Sequence, residues 1–159
     1  MNQTFPPPLE NLLEEFAEIP DWDERYEYLI ELGREVPPLE ARHKIEQNRV
    51  RGCLSTVWLV MGNGDPANPR IEMQADSDSL IVKGLIAVLF SLFDGKAPSE
   101  VLATDVDAVF GRLGLAQHLS PNRRNGLYAM VKRIRELASQ FAARTRSESS
   151  RGLADGLDG

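Results

Sequence analysis

Apolar positions at the start of the chain recur at helical spacing. Leu9, Leu12, Leu13 and Phe16 fall at i, i+3, i+4 and i+7, which predicts a short amphipathic helix ending near Ile19-Pro20. Trp22, Tyr26, Leu29 and Ile30 follow at i, i+4, i+7 and i+8. Asp21 with Glu24 resembles a capping box opening this second helix, and Gly33 supplies its stop.

Pro37-Pro38 then breaks the period, and the polar stretch 40–48 reads as an irregular surface approach. A strand pattern spans 48–51, breaks at Gly52-Cys53 and resumes over 55–61, rich in β-branched and aromatic residues. Past the turn-rich Gly62-Asn63-Gly64-Asp65-Pro66, residues 70–75 alternate, with Ile71, Met73 and Ala75 on one face. Asp76-Ser77-Asp78-Ser79 offers N-caps for an apolar helix over 80–93, which Asp94-Gly95 ends. Short helices follow from Pro98 and over 105–113, the latter closed by Gly114. Ser120-Pro121 opens a last helix on which Leu127, Val131, Ile134, Ala138 and Phe141 share a face. The order predicts an α+β fold, a small three-stranded antiparallel sheet backed by several helices. Residues 1–8 are expected to be a flexible lead, 9–143 one domain and 144–159 a disordered tail.

Composition narrows the classes. At 159 residues and 42% hydrophobic content the chain suits one sizeable core. The apolar run over 80–93 is interrupted by Lys83, Gly84 and Ser91 and falls short of the roughly 20 residues a membrane crossing needs. No basic stretch leads into an apolar run at the N-terminus, so no secretory signal is expected. A net charge of −6 argues against a nucleic-acid binder, although the charge is uneven. Residues 9–40 hold eleven acidic and two basic side chains, whereas 121–143 hold Arg123, Arg124, Lys132, Arg133 and Arg135 against Glu136 alone. That basic stretch is either a solvated helix face or a surface for an acidic partner.

Cys53 is the one cysteine, so no internal disulfide forms, and a reducing compartment, by default the cytoplasm, is expected. It follows a glycine and precedes a strand, a placement that presents a thiol. A thiolate is a strong nucleophile and also carries transferable sulfur. Arg51 stands close enough in sequence to favour the thiolate, Gly52 permits a sharp turn, and Leu54, Val57 and Trp58 offer an apolar wall. The alternative is a cysteine packed as a small hydrophobe. His43 and His118 stand at no spacing diagnostic of a catalytic dyad with Cys53. A structural zinc site wants four ligands, and no Cys-x-x-Cys is present. Asp76 and Asp78 read as helix caps before they read as an acid/base pair.

Four segments in order resemble the SufE family of sulfur acceptors for cysteine desulfurases. They are Trp22-Asp23-Glu24-Arg25-Tyr26 with Ile30-Glu31-Leu32-Gly33; Asn48-Arg49-Val50-Arg51-Gly52-Cys53-Leu54-Ser55-Thr56-Val57-Trp58; Ala75-Asp76-Ser77-Asp78 running into Ile81-Val82-Lys83-Gly84-Leu85; and Gln117-His118-Leu119-Ser120-Pro121-Asn122-Arg123 with Gly126-Leu127. The resemblance covers roughly residues 12–138. It implies a fold similar to the SufE/IscU-like scaffold proteins, with the reactive cysteine at a loop tip, a position Cys53 matches. It further implies an accessory persulfide carrier, not an enzyme, that takes sulfur from a SufS-like desulfurase and relays it to a SufBCD-like iron-sulfur assembly complex. Pyridoxal phosphate would belong to the desulfurase, with no cofactor or metal in this chain and neither nucleic acid nor membrane as partner. Arg51, Gly52, Asp78, His118 and Arg123 match supporting positions. Sulfur relay to a different pathway, or a thiol-dependent hydrolase or redox enzyme, is the alternative.

Overall fold

Each amphipathic stretch forms the helix its spacing predicts, and the sheet is smaller than expected. The computed structural model describes residues 5–158, with side chains through Arg144. Helices α1 (Leu9–Glu18) and α2 (Trp22–Arg34) bury Leu12, Leu13, Phe16, Leu29 and Leu32. The Asp21 carboxylate caps α2 by accepting from the Asp23 N–H at 3.0 Å.

Gly33 does not stop α2. It lies inside the helix, buried, because α2 crosses α3 (Leu80–Phe93) at that point. A Cβ on Gly33 would lie 2.5 Å from the Gly84 nitrogen, and one on Gly84 would lie 2.3 Å from the Leu29 carbonyl oxygen. The two glycines therefore allow a backbone-to-backbone approach that no other residue pair permits.

Strands β1 (Val57–Gly62) and β2 (Glu72–Ser77) pair antiparallel, with Val57 opposite Ser77 and Gly62 opposite Glu72. The expected third strand over 48–51 is absent. Glu46–Asn48 winds into a single 3-10 turn, and Arg51-Gly52 turns away. What is left is an isolated bridge from Arg49 to Trp58 and a 2.9 Å bond from the Val50 N–H to the Val57 carbonyl. Two extended residues between two turns are too few for a strand.

Helices cover one face of this sheet, as the α+β pattern predicts. Val57, Leu59, Met73 and Ala75 meet Ile86 and Leu89 of α3 and Met130 and Ile134 of α7 (Pro121–Asp158) around one small apolar void. Ser79 caps α3, accepting from the Val82 N–H at 3.4 Å. Between α3 and α7 lie α4 (Pro98–Ala103), α5 (Val106–Leu113) and α6 (Leu115–His118), with Gly114 at φ +71° turning α5 into α6.

The five residues predicted to share the apolar face of the last helix are all buried. The backbone of α7 stays helical past Ala143 to Asp158, where a disordered tail is expected from 144. Residues 1–4, Gly159 and the side chains of 145–158 lie outside the described residues. Of the expected flexible lead, Phe5 packs on Phe90 with ring centroids 5.1 Å apart.

Candidate functional site

Cys53 sits where the chain leaves the Arg49 bridge and turns into β1. Gly52 takes φ +92°, a left-handed conformation that L side chains rarely adopt. A Cβ on it would also come within 3.2 Å of the Ala129 Cβ. The glycine thus allows the reversal and the close contact with α7 together. The turn leaves Cys53 half-buried against α7, its Sγ–H donating to the Gly126 carbonyl at 3.5 Å. Gly126 leaves space at this contact, since a Cβ there would lie 3.6 Å from Sγ.

The thiol lines a cavity of about 420 Å³. Its buried walls are apolar: Val57 from β1, Val82 and Leu85 from α3, Leu127 and Met130 from α7. Its exposed lining is polar, with Ser120, Asn122 and Arg123 at the start of α7. Leu54 also lines it, yet is 81% exposed. Burial pushes the Cys53 thiol above its ordinary range, so in this position it is mostly protonated and a poor nucleophile at neutral pH.

The residues predicted to support Cys53 divide into those at the site and those beside it. Arg123 lines the cavity, and its backbone N–H donates to the Ser120 hydroxyl at 3.3 Å. Arg51 points elsewhere, pairing with Glu46 at 3.0 Å in a neighbouring cleft. Asp78 braces the loop from behind: its carboxylate accepts from the Thr56 N–H at 3.1 Å, and its own N–H donates to the Thr56 carbonyl at 3.3 Å. His118 does not line the cavity. Its ring stacks on Trp22 at 4.1 Å, and its carbonyl accepts from the Tyr26 hydroxyl. His43 does not line the cavity either, and its carbonyl accepts from the Asn48 side-chain amide at 2.9 Å. Val57 and Leu54 form part of the expected apolar wall, whereas Trp58 lies under the Lys44 ammonium, 5.3 Å from its ring centroid.

Sequence reasoning missed a buried charge behind the loop. Asp76 is the penultimate residue of β2 and is 5% exposed, not a helix cap. It accepts from the Ser77 N–H at 2.8 Å and the Leu39 N–H at 3.3 Å, and pairs with Lys44 at 3.3 Å and Lys83 at 3.6 Å. Burial alone would raise its pKa, but these hydrogen bonds and ammonium groups outweigh it and hold the carboxyl below its ordinary range. Lys83 was the available signal, a cation inside an otherwise apolar helix. Gly126 was another, a glycine within a helix, where it costs stability unless space is needed.

Comparison with known proteins fits this geometry. The family described as SufE, Fe-S metabolism associated domain, matches residues 10–138. The chain belongs to the SufE family. An uncharacterized SufE-like protein of Rhizobium etli is 44% identical over 136 residues, covering 85% of this chain and 92% of that one. One of Rhizobium meliloti is 40% identical over 131 residues, covering 82% and 94%. The solution structure of a hypothetical protein from Thermus thermophilus shares the fold, with TM-score 0.68 and 23% identity over 85% of this chain and 96% of that one. The SufE domain implies a sulfur-transfer role alongside a cysteine desulfurase. Among the described residues no group of three or more His, Cys, Asp or Glu side chains is placed to hold a metal ion. No described helix is long and apolar enough to cross a membrane.

Proposed function

We propose that this SufE-family protein is an accessory persulfide carrier with Cys53 as the carrying residue. The observation that supports it best is the half-buried thiol on a glycine-turned loop, facing an apolar cavity with room beyond a single thiol. The Cys53 thiolate attacks the terminal sulfur of a persulfide on the desulfurase. A bond forms between Sγ and that sulfur, the donor's S–S bond breaks, and the electron pair leaves on the donor thiolate. The proton that Cys53 gave up to become a thiolate balances the one the donor thiolate later takes. The step needs no oxidant, metal or cofactor from this chain. Pyridoxal phosphate belongs to the desulfurase, which generates the persulfide from free cysteine.

In the resting position the apolar walls shelter the added sulfur from reductants and further oxidation. Arg123 is the cation among the residues that line the cavity, while Gly52 and Asp78 set the turn and its root. The carrier stimulates the desulfurase by clearing its persulfide, and hands the sulfur to a SufBCD-like complex for iron-sulfur assembly in the cytoplasm.

Incubation with a cysteine desulfurase and cysteine, followed by intact-protein mass spectrometry under non-reducing conditions, tests this reading. One reductant-labile sulfur atom is expected on the wild type and none on Cys53→Ser. Equal desulfurase stimulation by Cys53→Ser and wild type would sink it.

A further inference from the structure

A second concavity, of about 290 Å³, adjoins the cysteine cavity between the segment leading into Cys53 and the face of α7. Arg49 and Arg51 stand on one side, Lys132 and Arg133 on the other, with Glu46 and Glu136 as the lining carboxylates. Four cations against two carboxylates make a positive cleft on a chain of net charge −6. The basic stretch of the last helix is therefore more than a solvated face, because the loop that carries the thiol brings two further arginines to it.

The existing ion pairs there are exchangeable. Glu46 is shared between Arg51 at 3.0 Å and Arg49 at 3.5 Å, and the Arg51 and Glu46 side chains are 79% and 63% exposed. Arg133 pairs with Glu136 at 3.3 Å, and Lys132 has no carboxylate partner among the described residues. Exposed pairs of this kind are screened by water and salt and give way readily to a better-placed anion.

Geometry ties the cleft to the thiol. Ala129, against which Gly52 rests, lines the cleft, and Gly126, one turn earlier on α7, accepts the Cys53 S–H. A protein that brings sulfur to Cys53 meets the cleft as well.

We propose that the cleft docks an acidic segment of the protein that loads Cys53 with sulfur, its carboxylates replacing Glu46 on Arg51 and Arg49. The exchange unties Arg51, two residues before the thiol, from the 3-10 turn that braces it, so docking loosens the arm that carries Cys53. This rests on the persulfide-carrier reading.

The test compares loading of Cys53 by a cysteine desulfurase plus cysteine with loading by glutathione persulfide, which needs no protein docking. For the full chain carrying Lys132→Glu and Arg133→Glu, the ratio of protein-donor to small-donor rates falls about tenfold at low salt, and the gap narrows as salt rises. A peptide of glutamates slows loading of the wild type by the desulfurase and has less effect on the variant. The milder Lys132→Ala with Arg133→Ala moves the ratio in the same direction, guarding against a folding defect that circular dichroism would reveal. Arg112→Glu on α5 leaves the ratio unchanged. An unchanged ratio in the folded reversal variant overturns the docking proposal while leaving the carrier reading intact, as does tighter binding of a short RNA than of the glutamate peptide. Failure of both donors to load the wild type removes the carrier reading, and the docking proposal with it.

Discussion

Gly126→Ala should make the protein more stable and a worse sulfur carrier. Gly126 is buried within α7, where alanine is favoured over glycine by about 1 kcal/mol. The new methyl would find Cys53 Sγ at 3.6 Å and Cys53 Cβ at 4.0 Å, ordinary contact distances with no clash, as its nearest neighbours outside its own turn of α7. Its burial adds up to about 0.8 kcal/mol. A gain of about 1–2 kcal/mol raises the melting temperature by about 2–8 °C in a domain of this size. The same methyl occupies space beside the thiol. A persulfide places its outer sulfur about 2 Å from Sγ, so directions toward Gly126 close and the adduct is forced toward solvent. Thermal unfolding followed by circular dichroism reads the first effect. The half-life of the Cys53 persulfide in dithiothreitol, followed by intact mass, reads the second and should shorten severalfold. A variant that melts lower than wild type, or holds its sulfur as long, refutes the reasoning.

Gly84→Ala, the same change on α3, should have the opposite sign. Its Cβ would sit 2.3 Å from the Leu29 carbonyl oxygen, so α2 and α3 must separate at a net cost of about 1–3 kcal/mol despite the helix-propensity gain, measured by urea unfolding. Asp76 has a lowered pKa in the fold, so its stabilising contribution is complete above the unfolded value of about 3.9 and is lost as pH falls toward and through the folded value. Asp76→Asn should therefore be less stable than wild type at pH 7, with the difference shrinking below about pH 4 in chemical unfolding. Cys53, with its thiol pKa raised by burial, should react with iodoacetamide at pH 8 more slowly in the native protein than in urea. Equal rates would show the thiol to be free of the cavity.

The periodic parts of this fold were legible in the sequence because one buried face imposes a repeat. Leu9, Leu12, Leu13 and Phe16, or Leu127 through Phe141, carry that repeat whatever they pack against. Gly33 was misread because a glycine near a helix end ordinarily marks a stop, and its true constraint lies on α3, in the Gly84 backbone. The third strand failed for the opposite reason. Arg49 and Val50 have strand-like chemistry, but pairing needs length, and the turns on either side leave room for one bridge. At the site, Cys53 and Gly52 could be singled out locally. The cavity could not, since Val82, Leu85, Leu127 and Met130 come from two helices distant in sequence. His118 matched a motif segment, yet its side chain stacks on Trp22 and does not line the cavity, so membership of the motif did not place it at the thiol.

Shelter and reactivity make opposite demands on Cys53, and the energetics of its loop bear on how both are met. On the persulfide-carrier reading, burial that would shelter an adduct also raises the thiol pKa and disfavours attack, so the thiol would leave the cavity to react. Leaving forfeits one weak S–H···O bond to Gly126 and the apolar contacts of a small side chain, together on the order of 1–2 kcal/mol. The next residue, Leu54, is 81% exposed, and its coverage by a docking protein returns about 2 kcal/mol. The two quantities are of the same size. By these magnitudes the loop alone would favour the sheltered position, and a partner covering Leu54 would offset the cost of extension. On the carrier reading, an exposed leucine beside a half-buried cysteine would make release conditional on docking, and a polar residue at position 54 would weaken desulfurase stimulation while leaving the fold and the thiol in place.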